Sequence, residues 1–303
     1  MRDEKESVSG ATREWDESCV RLFLSVDLVG STAFKNSFEA DVHKGAGPRP
    51  WVNVFEHFYK RFTSVFDKKL GDSDLSQRAD LKPKLVKTLG DELLLVVEVL
   101  CAQDAALVVN HFAKGLVEYT KTSLKDHPAL LLKGTAWLAG FPLNNHRVPL
   151  VDEGGGPPRD DYIGPSMDTG FRIAKFATPS KLVVAVDLAV VLLTRDPAPK
   201  LYLDGTQSLR GVLGGRPYPI FWLQVKGPDK ALHDAELALL APPHEPGRQL
   251  TYCDEYLKSC DGSWLIRPYF KNDDQFKERP KWHDLAMQTG SVVDQHNFEK
   301  VSE

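Results

Sequence analysis

Several signatures of secreted and membrane proteins are missing from this 303-residue chain. The longest apolar run, Leu182–Leu193, is interrupted by Asp187 and is shorter than the roughly 18 residues that a membrane-spanning helix needs. The N-terminal stretch MRDEKESVSG lacks the apolar core of a secretory signal. The cysteines, none of them in a CxxC pair, are Cys19, Cys101, Cys253 and Cys260. We therefore expect no disulfide framework and no zinc site, and a reducing, cytoplasmic location.

Neither sign of charge dominates, because 38 Lys and Arg stand against 42 Asp and Glu, for a net charge of −4. Duplex DNA and a membrane surface are therefore not expected as partners, although a local basic pocket is compatible with this balance. Hydrophobic residues make up 42% and charged residues 26% of the chain. These proportions are ordinary for a globular protein and exclude disorder or a coiled coil as the main organisation.

Apolar periodicity predicts alternating strands and helices, with loops over 36–50 and 152–160. The predicted strands are 20–27, 84–89, 93–100, 129–141, 181–186, 200–203 and 219–225, and the predicted helices are 51–70, 105–122, 164–176 and 188–194. This order predicts an α+β fold, namely a ferredoxin-like antiparallel sheet with helices on one face.

Composition divides the chain into three parts. Residues 1–18 are polar and are expected to be flexible, whereas residues 19–227 contain all the predicted elements. After a boundary at Gly227 and Pro228, residues 228–303 form a proline-rich C-terminal extension of unknown role. The aromatic residues that could give the extension a small satellite core are Trp264, Tyr269, Phe270 and Trp282.

Two aspartates lie at the ends of predicted strands. Asp27 ends a buried strand, and Asp91 lies at the tip of the hairpin formed by the second and third strands. Two carboxylates that converge at one edge of a sheet can bind a pair of Mg²⁺ ions and, through them, phosphate oxygens. Alternatively, Asp27 caps the following helix and Asp91 fills a turn.

Three ordered blocks carry a family resemblance. They are FLSVDLVGSTAF (Phe23–Phe34), KTLGDELLLVV (Lys87–Val97) and DYIGPSMDTGFRIAKFATPSKLVVA (Asp161–Ala185). Together they resemble the signature blocks of class III nucleotidyl cyclases, and the resemblance covers roughly residues 20–226. Within that family the chain looks most like the bacterial pyrimidine cyclases of Pycsar antiphage systems. The resemblance implies that residues 19–227 are a class III cyclase catalytic domain.

The resemblance implies two divalent metal ions, Mg²⁺ or Mn²⁺, as cofactors. Asp27 and Asp91 match the two metal-binding aspartates, and the Leu28 carbonyl matches an additional ligand. The turn that follows matches the segment whose backbone N–H groups hold the β- and γ-phosphates of the substrate. Its residues are Val29, Gly30, Ser31 and Thr32.

Further positions match groups that contact the substrate. Lys87 and Asp161 match the two base-selecting positions, and Arg172 matches the arginine that stabilises charge on the α-phosphate. Arg210 stands where a lysine commonly contacts the triphosphate. Asp168 departs from the family, which usually has Asn there to orient the ribose. Because Asp168 and Arg172 are four residues apart on a predicted helix, they could form an ion pair.

Each of these positions also has an ordinary structural interpretation. Lys87 could extend along a strand edge, Asp161 could be a solvated loop acid, and Arg172 could be a surface cation. Hydrogen-bonding type does not identify the base, since a donor beside an acceptor suits adenine, cytosine, uracil and guanine. The narrower resemblance favours UTP.

The sequence therefore predicts an enzyme that converts a nucleoside triphosphate into a 3′,5′-cyclic monophosphate and pyrophosphate. The resemblance implies a homodimer with active sites at its interface, and a separate effector protein that reads the product in antiphage defence. Alternatives are an adenylate or cytidylate cyclase and a catalytically silent nucleotide-binding regulatory module. A polymerase-like or dinucleotide-forming palm is disfavoured, because no GGDEF-like run occupies the hairpin.

Overall fold

A computed structural model describes residues 19–38, 50–71, 81–150, 159–225, 234–236, 239, 245–260, 263–270, 272–280 and 283. The predicted flexible segment 1–18, the greater part of both predicted loops, the boundary at Gly227 and Pro228, and Trp282 lie outside these residues. In the described part of the chain, no helix is both long and apolar enough to cross a membrane.

Within the described residues, nine strands form two sheets. They are β1 (Cys19–Val29), β2 (Lys84–Leu89), β3 (Glu92–Val99), β4 (Leu131–Phe141), β5 (His146–Leu150), β6 (Arg159–Ile163), β7 (Lys181–Val184), β8 (Leu201–Ser208) and β9 (Pro217–Gln224). The large sheet has the order β2-β3-β1-β4-β7-β9-β8, and β5 pairs with β6 in a separate hairpin. Every pairing is antiparallel except that of β4 with β7.

In the described part of the chain, six α-helices of at least six residues accompany the strands. They are α1 (Ser31–Asn36), α2 (Pro50–Gly71), α3 (Ala102–Thr122), α4 (Pro165–Ile173), α5 (Val186–Leu193) and α6 (Pro246–Ser259). A 3-10 turn, Ala174–Phe176, extends α4. The mixture of a large, mainly antiparallel sheet with flanking helices confirms the predicted α+β fold.

The two faces of the large sheet differ, and the side chains of β1, an inner strand, define them. Side chains alternate along a strand, so Leu22, Leu24 and Val26 mark a back face, whereas Phe23 and Asp27 mark a front face. On the back face, Gly134 of β4 pairs with Val26. A Cβ atom at Gly134 would lie within 3.0 Å of side chains of α3. Glycine is therefore required there for α3 to approach the sheet.

Helices α2 and α3 cover the back face with aromatic side chains. Phe58, Phe62 and Phe66 recur on one side of α2 and are fully buried. The rings of Phe62 and Phe66 contact Phe112 of α3, with ring centres 6.2 and 5.9 Å apart. This stripe, repeated every four residues, is the buried face of α2.

Helix α4 lies on the front face, so the prediction of helices on a single face was wrong. Gly170 of α4 packs directly against the indole of Trp137 in β4, and Trp137 stacks on Phe23 at 5.7 Å. Because Phe23 and Asp27 are four residues apart on β1, α4 shares its face of the sheet with Asp27.

The C-terminal extension packs on the main core in its described parts. Helix α6 buries Gln249, Cys253 and Leu257. Phe270 belongs to the same continuous buried cluster as the sheet, and Trp264 packs against that cluster. These two residues therefore extend the main core rather than forming a satellite core.

Candidate active site

Asp27 lies near the end of β1 and faces two charged cross-strand neighbours. Its register partners are Glu92 on β3 and Lys133 on β4. The Lys133 Nζ atom is 2.8 Å from Asp27 Oδ2, and the side chains are 25% and 26% exposed. Sequence reasoning missed Lys133, because only the register of β1 with β4 places it beside Asp27.

A front-face cavity of about 200 Å³ opens beside this ion pair. It is lined by Ser25, Asp27, Glu92, Lys133, Thr135, Ala174 and Lys175. The Ser25 hydroxyl donates a hydrogen bond to the Glu92 carboxylate. Burial, followed by the repulsion of Asp27 and Asp91, raises the pKa of Glu92 against the opposing effects of Ser25 and Lys133. The cavity therefore combines two acids and two lysines with two buried hydroxyl groups.

Asp91 sits in the two-residue turn between β2 and β3, adjacent to the end of β1. The Leu28 N–H donates to the Asp91 carbonyl at 3.1 Å. The Ser31 hydroxyl donates to Asp91 Oδ2, and the Tyr59 hydroxyl donates to the Gly90 carbonyl. Burial and then the Asp91 charge raise the pKa of Tyr59, so its hydroxyl stays a donor. The structure thus places Asp27 and the Asp91 turn at the same end of the sheet, where the Leu28–Asp91 backbone hydrogen bond joins their segments.

The donor set at this edge fits Mg²⁺ or Mn²⁺. Among the described residues, no group of three or more His, Cys, Asp or Glu side chains is arranged to hold a metal. Magnesium is commonly bound by one or two carboxylates, with substrate phosphates and water completing its six oxygen ligands. Asp27 and Asp91 would supply these one or two carboxylate ligands.

The turn between β1 and α1 depends on Gly30. This residue has a φ of +85°, and a Cβ atom there would collide with the Ala129 carbonyl oxygen. Gly30 accepts the first α1 hydrogen bond from the Phe34 N–H at 2.9 Å. Ser31 is buried against Asp91, whereas Gly30 and Thr32 are exposed and Val29 is half-buried. The turn therefore lies directly beside the carboxylate pair.

The two predicted base-selecting residues form an ion pair with each other. Lys87 Nζ on β2 lies 2.6 Å from Asp161 Oδ1 on β6. The Tyr162 N–H also donates to Asp161 Oδ1, at 2.8 Å. Burial alone would raise the pKa of Asp161, but the hydrogen bonds from Lys87 and Tyr162 and the Lys87 charge together lower it. The sequence did not predict strands β5 and β6, which bring Asp161 to this position.

Asp168 and Arg172 are both exposed on α4. Within the described residues neither makes an ion pair or a side-chain hydrogen bond, so the suggested pairing between them is not formed. Arg172 is therefore not neutralised by Asp168.

A buried asparagine fixes the start of α4. Asn145 Nδ2 donates to the Gly140 carbonyl at 2.9 Å and to Ser166 Oγ at 3.1 Å. Its Oδ1 accepts the Ser166 N–H at 3.1 Å. A Cβ atom at Gly164 would lie within 3.0 Å of this side chain. The network joins the β4–β5 connection to the segment that links β6 with α4.

Arg210 is exposed in the turn between β8 and β9. Three strands separate β8 from β1, a distance of about 19 Å across the sheet. Strand directions also place this turn at the end of the sheet opposite Asp27. The structure therefore does not bring Arg210 to the Asp27 carboxylate of its own chain.

No protein-family model matches the chain, and no curated protein matches its sequence. Solved structures do resemble it. The adenylyl cyclase CyaB from P. aeruginosa has a TM-score of 0.52 and 11% sequence identity, over 71% of this chain and 97% of that chain. The guanylate cyclase domain of RhGC from Catenaria anguillulae, solved with GTP, has a TM-score of 0.49 and 12% identity, over 69% of this chain and 98% of that one.

At this level of identity the CyaB likeness concerns the fold. The chain therefore adopts the α+β fold of class III cyclase catalytic domains.

Proposed function

We propose that this protein is a nucleotidyl cyclase whose catalytic domain spans residues 19–227. The observation that carries the proposal is the position of Asp27 and the Asp91 turn at one end of the sheet, beside the Gly30 turn, on a fold shared with a cyclase. In the reaction, the 3′-oxygen of a bound nucleoside triphosphate forms a bond to its own α-phosphorus. The bond from that phosphorus to the bridging oxygen breaks, and pyrophosphate leaves. Water or a substrate phosphate accepts the hydroxyl proton.

The residues of the site would have different roles in this reaction. Divalent ions bound by Asp27 and Asp91, with the Leu28 carbonyl, would lower the pKa of the 3′-hydroxyl and neutralise phosphate charge. The Gly30 turn would hold the β- and γ-phosphates through backbone N–H groups. Lys133 compensates the Asp27 charge through their ion pair and would contact a phosphate oxygen of the bound substrate. The exposed Arg172 guanidinium would stabilise charge on the α-phosphate.

We further propose that two copies of the chain share each site. In the described residues, no hydrogen bond or ion pair joins Asp27 or Asp91 to Arg172 or to the Lys87–Asp161 pair. Arg210 lies at the opposite end of its own sheet. A two-fold dimer that apposes the front faces would bring the carboxylates of one copy to Lys87 and Arg172 of the other.

UTP is the substrate we propose, and cyclic UMP the product. The support is the resemblance to pyrimidine cyclases, and the Lys87–Asp161 pair is compatible with uracil without favouring it over the other bases. Mass spectrometry of the products from an equal mixture of four triphosphates with Mn²⁺ tests this choice. Cyclic UMP should dominate, and Lys87→Ala should lose base discrimination more than Mn²⁺ binding. Faster turnover of ATP than of UTP and CTP would replace the proposal with adenylate cyclase.

The resemblance also supports a role in antiphage defence, with a separate effector protein that reads the cyclic nucleotide. A regulatory module that binds nucleotide without turnover is the alternative. Asp27 and Asp91 favour the enzyme, because a silent module has no need of paired carboxylates beside the phosphate turn. Release of pyrophosphate on titration with Mn²⁺ and triphosphate distinguishes the two.

A further inference from the structure

The tip of the β2–β3 hairpin is held from three sides. Gly90 and Asp91 form its two-residue turn, and Gly90 has a φ of +67°. The turn receives hydrogen bonds from the Leu28 N–H, the Ser31 hydroxyl and the Tyr59 hydroxyl. These donors belong to β1, α1 and α2, respectively. The position of the Asp91 carboxylate therefore depends on groups outside its own hairpin.

Tyr59 differs from the other two donors because it comes from a helix of the core. Its ring contacts Phe55 and Phe58, with ring centres 6.3 and 5.9 Å apart. Both phenylalanines are buried. The ring thus packs against two buried side chains of its own helix, and its hydroxyl reaches the Gly90 carbonyl. A glycine-containing turn is intrinsically free to move, so this bond restrains the residue that precedes Asp91.

We propose that Tyr59 is a positioning residue for the metal site, acting through Gly90 on the Asp91 carboxylate. The inference rests on the proposed function, in which Asp91 binds a divalent ion. Groups that orient a metal ligand without touching the metal commonly change its affinity tenfold or more when they are removed. Tyr59→Phe removes the hydroxyl and retains the packed ring. We therefore expect Tyr59→Phe to weaken Mn²⁺ binding about tenfold without unfolding the protein.

The chain offers a matched control. Tyr256 on α6 is also a half-buried tyrosine whose hydroxyl donates to a backbone carbonyl, that of Pro217, at 2.9 Å. Full-length wild type, Tyr59→Phe and Tyr256→Phe are titrated with MnCl₂, and free Mn²⁺ is read from its electron paramagnetic resonance signal. Thermal unfolding of the three proteins is recorded alongside. Only Tyr59→Phe should lose affinity, and saturating Mn²⁺ should restore most of its pyrophosphate release.

The possible results separate this inference from the function on which it rests. Wild-type protein that binds no Mn²⁺ would remove the proposed metal centre and the inference with it. Wild-type binding with equal affinity in Tyr59→Phe would overturn the role of Tyr59 alone. An equal loss in Tyr59→Phe and Tyr256→Phe would also overturn it, because the effect would then be a general consequence of losing such a hydrogen bond.

Discussion

The two halves of the candidate site are held in place by different means. Asp27 and Asp91 are placed largely by backbone pairing, since the register of β1 with β3 sets Asp27 opposite Glu92, the residue after Asp91. Arg172, by contrast, depends on side-chain packing of α4 through Gly170 on Trp137. The strand register of the first half should therefore persist when side chains change, and only the Asp91 turn depends on side-chain hydroxyls, those of Ser31 and Tyr59. One added methyl group, by contrast, should disturb the second half.

The largest effect should come from the carboxylates themselves. Asp27→Ala or Asp91→Ala should reduce cyclisation by at least about a hundredfold, because each removes a ligand that neutralises phosphate charge. The fold should persist, because neither change opens a cavity in the core. Pyrophosphate release and thermal unfolding are the measurements, with the exposed Glu278→Ala as the control. Substantial turnover by either purified variant would exclude these residues from the mechanism.

Mixing two inactive variants should restore activity if the halves come from different chains. Asp27→Ala and Arg172→Ala damage different halves, so one site of each mixed dimer carries both changes and the other carries none. Random exchange makes half of the dimers mixed, which predicts about a quarter of wild-type activity. A mixture that exchanges subunits and stays inactive would show that one chain supplies the whole site.

A single methyl group on α4 tests the packing of the second half. The Cβ atom of Gly170→Ala would lie within 3.0 Å of the Trp137 ring, so α4 must shift away from the sheet. We expect a destabilisation of about 1–3 kcal/mol in urea unfolding, as for overpacked cores, and reduced cyclisation. Gly247→Ala on α6 is the control, since its Cβ atom would meet no atom within 4 Å. Equal stability of the two variants would contradict the close packing of α4.

The same contrast explains what the sequence could predict. The sequence predicts strand β1 from a long apolar run and the β2–β3 hairpin from a Gly-Asp turn. The positions of Asp27 and Asp91 follow from these two elements. Strands β5 and β6 are mostly exposed, so no apolar alternation marks them, and they are formed by pairing with each other. The position of Lys133 requires the register of β4. In α6, the four-residue spacing of Gln249, Cys253 and Leu257 is the pattern that could have predicted the helix. Most of its other residues are polar, so no clear apolar stripe marks it.

The smallest effect concerns the pair that joins β2 to β6. The pKa of Asp161 is lowered below its ordinary value of 3.8 in the folded protein. The carboxylate therefore contributes stability above that pH, and the contribution is lost as the pH falls through the lowered value. The side chains of Lys87 and Asp161 are 30% and 29% exposed, so solvent reduces the contribution to about 0.2–1 kcal/mol.

Asp161→Asn should be less stable than wild type at pH 7, and the difference should shrink on acidification below pH 3.8. In a Lys87→Met background the same substitution should show a much smaller pH-dependent difference, because the charged partner is gone. Urea unfolding across this pH range measures both differences. A wild-type advantage that stays constant with pH would mean that Lys87 does not hold Asp161 ionised in the folded protein.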